Sequence, residues 1–137
     1  MRNSRNETLG VVLTALSSGA STQTSAWIDN NYFNAAHVGI QFSSAQGSTS
    51  TLTVTIQGCV PGTTATAYTI LASTPMTAEQ TRVLKVSPHI TAVANNAAAD
   101  FLPPKWRVKG VRVGTNTVEY TIGASLSPIA EGGAVAY

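Results

Sequence analysis

Two histidines, one cysteine and six carboxylates are the titratable groups from which a catalytic site in this chain of 137 residues would most readily be built. His37 and His89 lie far apart, without the close spacing that sets two imidazoles on one metal. The acids Glu7, Asp29, Glu79, Asp100, Glu119 and Glu131 stand singly. A glycosidase needs two carboxyl groups that meet in space, and scattered acids read as solvated ones. Cys59 has no second cysteine with which to form a disulfide, and no cation beside it in sequence. It reads as a small core or loop residue, not a nucleophile. No G-x-S-x-G, phosphate-binding glycine loop or C-x-x-C is present. The expectation is no catalytic residue, no metal and no cofactor.

Charge concentrates at one place: Lys105, Arg107, Lys109 and Arg112. Lys105, Arg107 and Lys109 share one parity, with Trp106 and Val108 on the other, so the three cations form a stripe on the wet side of a strand. Such a stripe either docks an acidic protein surface or guards an edge strand against unwanted pairing. Nucleic acid is not expected. The net charge is only +2, and Trp106 points away from the stripe, which removes the aromatic interleaving that bases stack on. Trp27, Tyr32 and Phe33 lie in an Asn-rich stretch and either cap the core or cover an interface. These six residues, Lys105, Arg107, Lys109, Trp27, Tyr32 and Phe33, are the candidate partner contacts.

The elements that carry them are strands. Leu52-Thr-Val-Thr-Ile-Gln-Gly58 alternates apolar and polar residues without a break, and residues 9–16, 37–42, 67–71, 82–86, 106–113 and 118–122 are read as strands too. Residues 37–42 and 52–58 are expected to pair as a hairpin, as are 106–113 and 118–122, with Tyr120 beside Trp106. In 106–113 the apolar parity switches between Val108 and Val111, which predicts a bulge at Gly110. Pro61-Gly62 signals a tight turn. Thr77 with Gln80 reads as a capping box or a loop, and residues 90–99 as a short helix or a turn. The fold class is all-β: a single antiparallel β-sandwich, Ig-like or jelly-roll-like, of about eight strands. It occupies residues 9–128, with an N-terminal arm at 1–8 and a flexible tail at 129–137.

Charged residues make up only 10% of the chain, so Ser, Thr, Asn and Gln must coat much of the surface. A surface so weakly charged suits a protein packed among copies or partners. No apolar run approaches the ~20 residues that span a bilayer, so no membrane association is expected, and the first residues do not read as a signal peptide.

The run 52–58, then Tyr68-Thr-Ile-Leu-Ala-Ser73, Val83-Leu-Lys-Val-Ser-Pro88, Leu102-Pro-Pro-Lys-Trp-Arg-Val108 and Val118-Glu-Tyr-Thr-Ile-Gly-Ala-Ser-Leu126 resembles small β-sandwich virion proteins of tailed bacteriophages. The resemblance covers roughly residues 50–128 and is structural, not catalytic. It implies a capsid decoration (cement) protein made in the host bacterial cytoplasm and carried on the capsid surface. Its implied partners are the major capsid protein and its own copies, as a trimer. A tail or baseplate component, or a carbohydrate- or receptor-binding module using Trp27, Tyr32 and Phe33, is the alternative.

Overall fold

The alternation dictates the strands. Leu52, Val54 and Ile56 are fully buried, as are Val38, Phe42, Trp106 and Ile122 on other runs of period two. The computed structural model describes residues 7–15, 22–30, 33–45, 50–114 and 118–127. Ten strands lie among them: β1 (Glu7–Ala15), β2 (Thr22–Thr24), β3 (Ile28–Asp29), β4 (Ala35–Ala45), β5 (Thr51–Cys59), β6 (Ala67–Ala72), β7 (Gln80–Val86), β8 (Ala97–Ala98), β9 (Lys105–Val113) and β10 (Val118–Ser127). One sheet runs β1-β10-β4-β7-β8; the other runs β2-β9-β5-β6, with β3 also on β9. Inward-facing side chains of both sheets form one core.

The winding follows a rule once β2 and β3 are taken as one interrupted strand and the two-residue β8 is set aside. The first strand pairs with the last (β1 with β10), the second with the next to last (β2/β3 with β9), β4 with β7, and β5 with β6. The nested pairs join through β10–β4 and β9–β5. This is the jelly-roll wrap, which settles the two sandwich alternatives. All pairs are antiparallel except the short β7–β8 pair, which is parallel.

Several expectations change. Strands β4 and β5 lie in opposite sheets, as do β9 and β10, so neither expected hairpin forms. The connections at these two places cross the sandwich instead, because β4 pairs with β7 and β10, and β9 with β2, β3 and β5. The real hairpin is β5–β6, turned at Pro61-Gly62, where Gly62 takes the positive φ of 86° expected there. Residues 90–99 form turns and β8 instead of a helix, with Asn95 at a φ of 64°. The Thr77–Gln80 stretch is not helical; Gln80 opens β7, and Met76 exchanges backbone hydrogen bonds with Leu52 at 2.8 and 3.0 Å. β1 begins at Glu7, inside the expected arm. Residues 1–6, the tail at 129–137 and the loop at 115–117 lie outside the described residues.

Gly110 carries no bulge. The β5–β9 register runs unbroken from Gly58↔Trp106 to Thr51↔Val113, and Gly110 is not among the glycines of positive φ. The parity never switches; Val111 and Val113 face outward, Val113 with 61% exposure. Gly110 is needed for another reason. A Cβ there would lie 2.7 Å from the Tyr120 hydroxyl and 3.1 Å from its Cζ, both reaching across from the opposite sheet. Tyr120 is itself buried, so its ring has nowhere to retreat.

Gly110→Ala is therefore expected to cost about 1–3 kcal/mol by overpacking. Adding Tyr120→Phe should restore part of that loss, measured by urea denaturation of the four proteins of a double-mutant cycle; strictly additive losses would place the strain elsewhere. Burial holds the Tyr120 hydroxyl above the ordinary tyrosine value, and burial, then the Asp100 and Cys59 charges, does the same for Tyr68. The folded state keeps these protons longer than the unfolded chain. Their contribution is whole below about pH 10 and falls as pH rises through the folded-state values. Urea midpoints between pH 8 and 11.5 should drop, less steeply for Tyr120→Phe.

Candidate functional site

Lys105, Arg107 and Lys109 do share the outer face of β9, each partly exposed. Their setting differs from an edge. β9 is an interior strand, hydrogen-bonded to β2 and β3 on one side and to β5 on the other. It has no open edge to guard, so the edge-guarding explanation fails for this stripe. Arg112 falls on the other parity, where its guanidinium donates to the Gly114 carbonyl at 3.1 Å.

An aromatic ring reaches the stripe from a neighbouring segment. The Arg107 guanidinium lies 4.4 Å from the centroid of the Trp27 ring, and the Lys105 ammonium 5.9 Å from it. These are cation–π distances, worth about 0.5–1 kcal/mol each where water reaches them. The Nε–H of Arg107 donates to Gln57 Oε1 at 3.0 Å, across the ladder from β9 to β5. Lys105 donates to the Thr64 carbonyl at 3.2 Å, and Asp29 is its cross-strand neighbour. The indole, two cations and an amide thus form one rigid cluster in the middle of a sheet face. The sequence names Trp27 as a candidate contact but not its place over the stripe: Trp106, the aromatic inside the basic run, is in the core, and Trp27 arrives from a distant segment.

A bulge brings Trp27 there. Three residues separate Thr24 from Ile28, but only two separate their partners Lys109 and Trp106. The extra residue falls at 25–27, on the strand opposite the position expected. Ser25 bridges the gap: its N–H donates to the Val108 carbonyl at 2.8 Å, and its Oγ accepts from the Val108 N–H at 3.0 Å. The bulge flips the parity. Thr22 and Thr24 stay outside, Ile28 turns in against the core, and Trp27 lies over the cations.

Asn30 locks the segment after the bulge. Its side-chain amide, buried to 5% exposure, donates to the carbonyls of Phe33 (2.6 Å), Leu102 (3.3 Å) and Pro103 (3.3 Å). Its Oδ1 accepts from the Phe33 N–H at 2.9 Å, and its own N–H donates to the Pro104 carbonyl at 2.7 Å. No signal in the sequence marks Asn30 apart from its place in a turn-prone Asp-Asn-Asn run. Phe33 takes the core-capping alternative, packed half-buried against the core. Tyr32 lies outside the described residues. His37 is exposed on the outer face of the other sheet, His89 is exposed after Pro88, and Cys59 is buried with its thiol toward Val60 and Thr63 carbonyls. The structure does not bring the two histidines to the stripe, Cys59 lines a cleft that Lys105 also lines, and no cluster of three or more metal-ligating side chains occurs among the described residues.

No protein-family model and no curated protein matches the chain. Among solved structures, a chain in the structure of infectious bursal disease virus Gt strain aligns over 90% of this chain, with a TM-score of 0.48 and 14% identity. One in the structure of the Gx strain aligns over 92%, with a TM-score of 0.46 and 13% identity. This chain spans about a third of the length of each. The likeness is one of fold, to chains of a virus that is not a tailed bacteriophage.

Asn30→Asp should destabilise more than Asn30→Ala. The aspartate would set a carboxylate against three carbonyl oxygens, whereas alanine only leaves them unpaired, at about 1–3 kcal/mol for a buried polar group. Urea denaturation ranks the two; equal losses would show that the amide's donors are not what holds the loop.

Proposed function

We propose that this chain is a non-enzymatic structural protein of a virus particle, which attaches to a partner through the outer face of the β2-β9-β5-β6 sheet. The observation that carries the adhesive reading is the position of Lys105, Arg107 and Lys109. Cations on an interior strand do not serve edge protection; they present a positive face, in which Arg107 is preorganised by an indole and an amide and Lys105 lies over the same indole. Preorganisation lowers the entropy lost when a partner's acids bind. The virion reading is supported by fold-level analogy, since jelly rolls build viral capsid domains, and by the resemblance of residues 50–128 to phage virion proteins.

The specific form proposed is a capsid decoration protein on the head of a tailed bacteriophage, bound between major capsid proteins and assembled as a trimer. Repeated copies would multiply weak contacts on a lattice into firm attachment. A tail or baseplate station is the neighbouring reading. The sugar-binding alternative is weakened by one observation: Trp27, its best stacking platform, already has a face engaged by Arg107.

Antibody labelling of purified particles of the virus that encodes the chain tests this. Label on the head is expected; label on the tail would move the station, and unlabelled particles would overturn the reading. Rebinding of purified protein to particles stripped of it should weaken at least tenfold for Arg107→Glu, with folding checked by circular dichroism.

A further inference from the structure

Beside the stripe, where the β5–β6 turn meets the segment entering β9, the surface opens into a cleft of about 200 Å³. Pro61, Tyr68, Phe101, Pro103, Pro104 and Lys105 line it. The walls are built, not accidental. The Tyr68 ring lies across Gly58, 2.6 Å from where a Cβ would stand, so a larger residue there would displace the ring from this wall. The Phe101 ring is 60% exposed, although its backbone is anchored: its N–H donates to Asp100 Oδ1 at 2.8 Å, and the next N–H, that of Leu102, donates to the Asn34 carbonyl at 3.0 Å. An aromatic ring held in water beside prolines and a tyrosine is the surface that takes up an apolar group. The volume is below the roughly 300–1,000 Å³ of small-molecule sites. It suits one large side chain.

Lys105 belongs to both cleft and stripe, so the two are continuous. We propose that together they bind an extended acidic segment of a partner protein, which seats one aromatic or large aliphatic side chain in the cleft and sets carboxylates on the cations of β9. The proposal rests on the adhesive reading above and names its partner chemistry. The period is fixed by geometry. Lys105, Arg107 and Lys109 recur every second residue, about 7 Å apart along the strand. An extended peptide lying alongside repeats its same-side residues at that interval. The motif is therefore an apolar residue with acids at every second position from it. Two acids stand near this surface, Asp29 across from Lys105 and Asp100 at the cleft end beside Phe101, against three cations along β9, so the charge of the strand is complementary to such a segment. The terminal NH2 groups of Arg107, beyond the Nε–H held by Gln57, are the fork for a carboxylate.

The probe is a capped nonapeptide, Asp-Ser-Asp-Ser-Phe-Ser-Asp-Ser-Asp, whose symmetry makes chain direction irrelevant. Its binding to the full chain is followed by NMR chemical-shift titration. Shifts should map to Tyr68, Phe101 and β9. Affinity should fall at least fivefold when the peptide's Phe becomes Ala, when its Asp residues become Asn, or when the protein carries Phe101→Ser or Arg107→Gln. Equal affinity for the asparagine peptide, or shifts elsewhere, would overturn the proposal. So would light scattering that shows a second copy of the chain bound through Phe101. Particle rebinding separates the two readings: protein that rebinds its particle but ignores the peptide refutes the cleft assignment alone. Protein that binds the peptide but is absent from particles refutes the virion assignment alone.

Discussion

One buried carboxamide sets the geometry on which the candidate site depends. Asn30 has the only side-chain type, with glutamine, that can donate twice and accept from one planar head. Buried where three backbone carbonyls and one N–H converge, it uses that capacity fully. The carbonyls of Leu102 and Pro103 face no ladder partner of their own, because prolines at 103 and 104 prevent that run from pairing as a strand. A loop carbonyl left dry costs about as much as a lost hydrogen bond. The amide removes that cost and at the same time fixes the distance between two surfaces. One is the bulged segment that carries Trp27; the other is the proline run that leads into Lys105.

From this tie the rest follows in order. The bulge at 25–27 changes which side chains face the core, and Asn30 prevents the segment from slipping back by one residue. A one-residue slip would bury Trp27 and expel Ile28, since the side-chain period of a strand is two. The cost of the bulge is thus tied to a gain at the surface: an indole that lies beside Arg107 and Lys105 and narrows their freedom. Long cationic side chains on a sheet face would otherwise keep much of their rotamer freedom and give it up only on binding.

Much of the architecture was legible in the chain because alternation reports burial directly. Leu52, Val54 and Ile56, or Val38, Ile40 and Phe42, face the core as their spacing requires. Pairing was not legible, since alternation says which side a residue faces and nothing about its neighbours. Proximity in sequence suggested hairpins at 37–58 and 106–122, whereas the jelly roll pairs strands from opposite ends of the chain. Gly110 shows a second limit. A glycine in a strand can mark a bulge or a close approach, and only the position of Tyr120 in the facing sheet decides between them. The cations of the site were visible as a stripe and Trp27 as a candidate contact; the meeting of indole and stripe, and the carboxamide of Asn30, were not, because both come from a segment whose register is broken.

The same logic explains why the site lies where it does. A jelly roll buries the inner faces of both sheets and commits its hydrogen bonds to the wrap, so recognition must use outer faces, edges or the loops at the ends of the strands. Strand β9 is an interior support, flanked on both sides and pinned from within by Trp106 and by the Gly110–Tyr120 contact between sheets. Its first residue, Lys105, is also the last residue of the proline run, so the rigid row of charges begins where the apolar cleft ends. On a surface with few charges, this junction joins three cations of one strand to an apolar cleft. In the proposed attachment no large area is needed: the cleft would supply the apolar anchor, and the strand would supply charges at a fixed interval that a partner of the wrong period cannot match.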